Sequence, residues 1–315
     1  MAEYTAYPRA AACGAGWILA CSRRGSSHSV SGAPCQDAAY TQAGFLSGSP
    51  FLIGAIADGH GDSRYDRSAS GAFFAAKAAA EEIHAVLCAR SSDAAIAAAS
   101  RALRNDFPMR VRKRWRKFVE EDLAYDDGQS ACGENEIVRY GTTLIVAAVL
   151  DSHVYVTHLG DGDVVWVPDA SKAEIVTPHP NRGVAGETDS MIDKDAHLRF
   201  RPKVLNCSQG GYLFLSSDGL SDAHVDDEQF LAFATDLAAR FEEYGDRRVS
   251  EVLPRWLDDR SKRGSGDDIS VVVIRVNGVV RDKEEVEGRP LDESMNHSKN
   301  HGDETDAAEG TTPTG

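Results

Sequence analysis

The sequence has no Cys-x-x-C pair and no tight Cys/His grouping; its six cysteines, Cys13, Cys21, Cys35, Cys88, Cys132 and Cys207, are scattered over 315 residues. That spacing argues against a zinc knuckle and against a disulfide framework, and suits free thiols in a reducing cytoplasm. No apolar run approaches the roughly 18 residues needed to span a bilayer. The N-terminus also lacks the basic-then-apolar pattern of a secretory signal. A soluble, cytoplasmic protein without a membrane partner is expected. Basic excess is missing as well: the formal net charge is -15, a balance that argues against a dedicated nucleic-acid binder. Neither a G-x-S-x-G nucleophile elbow nor a Cys-x5-Arg loop occurs, which leaves water as the natural nucleophile for hydrolytic chemistry.

What is present is an ordinary apolar fraction, 42%, enough for a sizeable core. Residues 64–90 are Ala-rich with Phe73, Phe74, Ile83, Val86 and Leu87 at helical spacing, and residues 92–123 continue in that manner with an interruption at Pro108. Two further helices fit 227–242 and 247–260. Short β-rich runs occupy 37–43, 51–57, 142–150, 153–159, 163–167, 212–217 and 269–276. The connections around 142–167 are too short for βαβ crossovers and permit antiparallel hairpins. The pattern predicts an α+β protein whose helices cover antiparallel sheets. Residues 281–315 hold four Lys/Arg and ten Asp/Glu with almost no apolar periodicity. A folded unit over 1–277 and an acidic disordered tail over 278–315 are therefore expected.

The chemistry-bearing signal is a repeated one. "FLIGAIAD" ends at Asp58, "YLFLSSD" at Asp218, "VTHLGD" at Asp161, and Asp267 and Asp268 immediately precede "ISVVVIRV". One such aspartate is an ordinary turn former. Several, each beside glycine and a fully apolar strand, would converge on one sheet edge, where mutual repulsion raises their pKa values unless cations neutralise them. Hard oxygen ligands of this kind suit Mg²⁺ or Mn²⁺. Two such ions sharing a water lower its pKa, orient it for in-line attack on phosphorus and neutralise the phosphoryl oxygens. His60, two residues after Asp58, is placed to protonate a leaving oxygen.

In this order, "QDAAY", "ADGHG", "YGTTLIVAAVL", "HLGDGDVVWV", "LSSDGLSD" and "GSGDDISVVV" resemble the metal-dependent serine/threonine protein phosphatases of the 2C family. "GSSHSVSGAPCQDAAY" and "GETDSM" are most similar to its bacterial branch. The resemblance implies a four-layer αββα sandwich, two antiparallel sheets flanked by helices, with a binuclear Mn²⁺/Mg²⁺ centre at one end. Carried over, Asp58 would bridge two metals, Gly59 would offer its carbonyl, Asp218 and Asp267 would complete the second position, and Asp37 would support the pair. Asp161 and Asp222 match the positions of a third, weaker metal, and His60 matches the general acid. The implied activity is hydrolysis of phosphoserine and phosphothreonine in proteins by direct attack of a metal-bridging water, opposing a serine/threonine kinase.

Two positions depart from the family pattern. Gln36 stands where many members have glutamate, so one charge is lost and its amide oxygen becomes a neutral ligand candidate. Gly32 stands where many have a phosphate-binding arginine, which makes Arg23, Arg24 and His28 the substitutes to examine. These departures keep open a pseudophosphatase that binds phosphorylated partners without turnover; a metal-dependent phosphoesterase for small molecules is a second alternative. The basic run at 110–118, "RVRKRWRKF", reads as the solvated face of an amphipathic helix or as a docking surface for acidic partners. Residues 169–206, rich in Pro, Gly and charge, read as a flap beside the site.

Overall fold

The structure, a computed structural model, describes residues 9–46, 49–88, 101–127, 133–150, 153–168, 172–177 and 188–278. The acidic tail lies outside the described residues. One sheet contains β1 (Arg9–Cys13), β2 (Gly16–Arg23), β7 (Asp163–Pro168), β8 (Glu174–Ile175), β10 (Gly211–Ser216) and β11 (Ile269–Val276), in the order β1-β2-β11-β10-β7-β8. The other holds β3 (Ala38–Leu46), β4 (Ser49–Ala57), β5 (Leu144–Leu150), β6 (His153–Leu159) and β9 (Lys203–Asn206), in the order β3-β4-β5-β6-β9. Every pairing is antiparallel.

The sheets pack face to face. Ile18, Leu52, Ile56, Ile145, Val272 and Ile274 fill the space between them. Alternate residues point outward to helices: Ile53, Leu144 and Val146 meet α2 (Ser68–Cys88) and α3 (Phe107–Asp127), and Leu19, Val271 and Val273 meet α7 (Asp227–Tyr244) and α8 (Asp246–Arg263). The result is the αββα sandwich expected from the sequence. Because both faces of the central strands are covered, "LIVAAVL" is buried throughout, which explains why its apolar run is continuous rather than alternating. No helix among the described residues is long and apolar enough to cross a membrane.

The Ala-rich composition of α2 has a packing cause. Ala72, Ala75, Ala76, Ala78, Ala79 and Ala80 are all buried at a helix–sheet and helix–helix seam. At Gly71 the approach is closer still: a Cβ there would stand 2.1 Å from the Tyr140 carbonyl oxygen, and the Gly71 carbonyl accepts from Trp115 Nε1 at 3.1 Å.

Four elements differ from expectation. The interruption near Pro108 falls two residues earlier, at Asp106, with Pro108 in the first turn of α3, where a missing N–H costs nothing. The basic run on α3 is not a free solvated face. Arg110 and Arg114 both bind the buried Glu82 of α2, at 2.6 and 2.5 Å, and Arg114 also reaches Glu81 at 2.8 Å. Arg116 is paired with Glu120 and Glu134. The β1–β2 hairpin and the short helix α1 (Ser26–Ser31) precede the first strand predicted from sequence. Finally, part of the expected flap is framework: β8 extends one sheet and β9 the other, with α5 (Ala196–Arg199) between them.

Candidate metal centre

Register brings the carboxylates to one end of the sandwich. Ala38 faces Ala57, so Asp37, just before β3, and Asp58, just after β4, leave the same end of their sheet. In the other sheet Ser216 faces both Val271 and Asp163. Asp218 after β10, Asp267 and Asp268 before β11, and Asp161 before β7 therefore emerge together.

The cluster is tight and short of cations. Asp58 and Asp218 are joined by a hydrogen bond between their carboxyl groups, and the charges of Asp37 and Asp161 bear on Asp58. Burial raises the Asp58 pKa well above the usual carboxylate range, and Asp37 and Asp218 raise it further. Burial also raises Asp37 well above that range, with Asp268 adding to the effect. Asp218 is pushed up to about 7, first by burial and then by Asp161. Asp222 and Asp267 also bear on Asp218; Asp222 follows α6 (Asp218–Ser221), its N–H donating to the Asp218 carbonyl at 2.8 Å.

Backbone and hydroxyl groups fix these positions. The Asp58 carbonyl accepts from Thr143 N and Thr142 Oγ1, both at 2.8 Å, while Asp58 N donates to Thr143 Oγ1 at 3.0 Å. Asp37 Oδ2 accepts from Ser217 Oγ at 2.7 Å, and Oδ1, fully buried, has no hydrogen-bond partner. Only glycine fits at Gly59, where a Cβ would lie 2.6 Å from the Gln36 carbonyl oxygen and 2.9 Å from that of Ser68. Gln36 Nε2 donates to Ser68 Oγ at 2.6 Å and to the His60 carbonyl at 3.2 Å, which leaves its amide oxygen as the free acceptor.

The paired aspartates before β11 divide the work. The Asp267 side chain is 54% exposed, whereas that of Asp268 is 3% exposed. Asp268 gathers the N-terminal loop, accepting from Gly25 N and Gln36 N, each at 2.6 Å, and lying 2.9 Å from His28 Nδ1. His60 Nε2 lies 2.8 Å from Ser190 Oγ, and its ring meets Tyr65 edge-on at 4.8 Å. Burial lowers the His60 pKa, partly offset by Asp161 and Asp193.

The phosphate-binding candidates are not equivalent. Arg23 is spent on a bidentate pair with Asp258 at 2.7 and 2.8 Å. Arg24 Nη2 donates to the His28 carbonyl at 2.9 Å. Both line a cleft of about 620 Å³ together with Ser26, Ser29 and Lys262, a cleft whose lining includes none of the clustered aspartates. Sequence reasoning placed Asp268 at a strand end without giving it a role, and did not single out Thr142, Thr143, Ser190, Ser217 or Arg201. Arg201 donates to the Gly160 carbonyl and sits 3.8 Å from Asp189. Ser190 belongs to "GETDSM", which carried part of the family resemblance and could have pointed to it.

The chain's residues 24–258 match the family profile described as Protein phosphatase 2C, well over half of its length. The chain belongs to the protein phosphatase 2C family. It is thereby a phosphatase-type, metal-dependent hydrolase. Among solved structures, the chain is similar to a bacterial serine phosphatase, at a TM-score of 0.51 and 17% identity, over 84% of this chain and 99% of the other. It is also similar to the S. agalactiae serine/threonine phosphatase, at a TM-score of 0.50 and 16% identity, over 86% of this chain and all of the other. At these identities the likeness concerns the 2C-phosphatase fold, which agrees with the layers described above. No curated protein matches the sequence.

Proposed function

We propose that this 2C-family phosphatase hydrolyses phosphoserine and phosphothreonine in proteins, with Mn²⁺ or Mg²⁺ held at the carboxylate end of the sandwich. The observation that carries the reading is the buried trio Asp37, Asp58 and Asp218, packed together with their pKa values raised. A fold tolerates such a cluster at neutral pH when divalent cations replace the protons. The unpartnered Asp37 Oδ1 and the oxygen donors that converge here fit hard ions.

Asp58, Gly59 through its carbonyl, Asp218 and Asp267 would hold two ions, with Asp37 supporting them and Gln36 offering a neutral oxygen. Asp161 and Asp222 would serve a third. Bound there, such ions supply Lewis acidity, lowering the pKa of a water and neutralising charge on the phosphoryl oxygens.

The chain's own residues manage the leaving group. Burial lowers the His60 pKa and the negative charge of a phosphoryl group acts in the opposite direction; to act as an acid His60 must be in the imidazolium form. Both ring nitrogens then donate. Nε2–H is taken by Ser190 Oγ, which also accepts from Thr142 N and donates to the Thr142 carbonyl, each at 3.2 Å. Nδ1–H is left for the departing serine or threonine oxygen. Arg24, exposed beside the His28 loop, is the candidate that would supply positive charge for the substrate phosphate. In the cell the protein would act in the cytoplasm against a serine/threonine kinase.

The test is phosphate release from a phosphothreonine peptide in EDTA and after addition of Mn²⁺ or Mg²⁺, beside Asp58→Asn. Turnover that needs metal and Asp58 is the expected result. Folded, metal-loaded protein that releases no phosphate from peptides would favour the pseudophosphatase reading, which Gln36 in place of an acid supports. Preference for phosphorylated metabolites would favour the small-molecule reading.

A further inference from the structure

His28 sits where two loops are stitched together. Ser26 N donates to Ser261 Oγ at 2.9 Å, Ser27 N to the Gly266 carbonyl at 2.9 Å, and Ser27 Oγ to the same carbonyl at 2.7 Å. The Arg24 guanidinium caps the His28 carbonyl from outside. The backbone under His28 is thus tied to the segment carrying Asp267 and Asp268.

The ring orientation follows from Asp268. That carboxylate accepts two backbone N–H groups and faces His28 Nδ1 at 2.9 Å. Oδ1 already accepts from Gly25 N and Oδ2 from Gln36 N, so the oxygen facing His28 Nδ1 is engaged as an acceptor. His28 therefore carries its proton on Nδ1, and its lone pair is on Nε2. Nε2 lies 3.9 Å from Asp267 Oδ1. Around an octahedral ion with bonds of about 2.1 Å, adjacent ligand atoms stand about 3.0 Å apart and opposite ones about 4.2 Å. The observed separation lies between these values.

A buried carboxylate behind Nδ1 with a free Nε2 in front is the arrangement by which proteins orient a metal-ligating histidine. We infer that His28 is a metal ligand through Nε2, sharing one ion with Asp267, with Asp268 as the positioning carboxylate. The inference rests on the metal centre proposed above and removes His28 from the substrate-phosphate candidates. A nitrogen donor also has a chemical consequence: it disfavours Mg²⁺, which takes oxygen ligands, and favours transition ions, which accept imidazole.

Full-length protein loaded with Mn²⁺ tests this by pulsed electron paramagnetic resonance, which detects nitrogen bonded to the ion. The expected result is nitrogen hyperfine coupling in the native protein that is lost in His28→Ala and in His28→Gln. Calorimetric titration of the same variants should show Mn²⁺ affinity at one position falling by at least about 10-fold, with Mg²⁺ affinity changing less. Mn²⁺ bound with oxygen-only ligation, or coupling that persists in His28→Ala, overturns the inference and leaves the metal centre standing. Failure to bind Mn²⁺ at all overturns both.

Discussion

Asp218→Asn should stabilise the metal-free protein at alkaline pH, although it removes a residue proposed to hold metal. In the unfolded chain Asp218 ionises near 3.8, and in the fold it keeps its proton up to about 7. Between those values the folded state binds the extra proton, so stability falls as pH rises, and above 7 the loss is complete. The displacement from 3.8 to about 7 corresponds to about 4 kcal/mol at most. At about 2–4 °C per kcal/mol for a domain of this size, that is a difference in Tm of up to about 16 °C. The assay is thermal unfolding in EDTA between pH 5 and pH 8 for the native protein and the variant. The variant should melt higher at pH 8, with the gap narrowing toward pH 5 as the native carboxyl takes up its proton. Excess Mn²⁺ should reverse the order, because only the native site gains binding energy. A variant no more stable than the native protein at pH 8, or a gap independent of pH, would refute the reasoning.

Other consequences are equally specific. Ser190→Ala should lower kcat on a phosphothreonine peptide by about 10-fold or more while sparing p-nitrophenyl phosphate, whose leaving group needs no acid; equal losses on both substrates would remove Ser190 from the His60 relay. Gly71→Ala, a change that normally favours a helix by about 1 kcal/mol, should instead cost about 2 kcal/mol in denaturant unfolding, because its Cβ meets the Tyr140 carbonyl. A stabilised variant would show that the α2 contact is looser than described. Glu82→Gln should cost about 2 kcal/mol through its bonds to Arg110 and Arg114, a loss that urea titration would reveal and that should leave metal affinity unchanged.

The strands within 142–168, 211–216 and 269–276 were legible because their apolar runs are long. The β1–β2 hairpin was not. Its first strand, "RAAAC", is Ala-rich, and alanine is depleted in strands, while β8 and β9 have only two and four residues, too few to show a period. At the site, Asp58, Asp161, Asp218 and Asp267 could be picked out because each stands at the end of an apolar strand beside glycine. Ser190 and Asp268 act through partners far away in sequence. His60 meets Ser190 across 130 positions, and Asp268 meets Gly25 across 243. Such contacts are set by the stacking of the two sheets and leave no local pattern. The basic run on α3 shows the same limit: its charges were visible, but not the two glutamates of α2 that engage Arg110 and Arg114.

The fold holds protons on the buried carboxylates, whose pKa values are raised, until metal replaces them. Titration calorimetry with Mn²⁺ near pH 7, repeated in two buffers of different ionisation enthalpy, measures bound ions and released protons together. About two ions per chain and net proton release on binding are expected, both abolished in Asp58→Asn. Binding without proton release, or no binding to folded protein, would contradict that exchange.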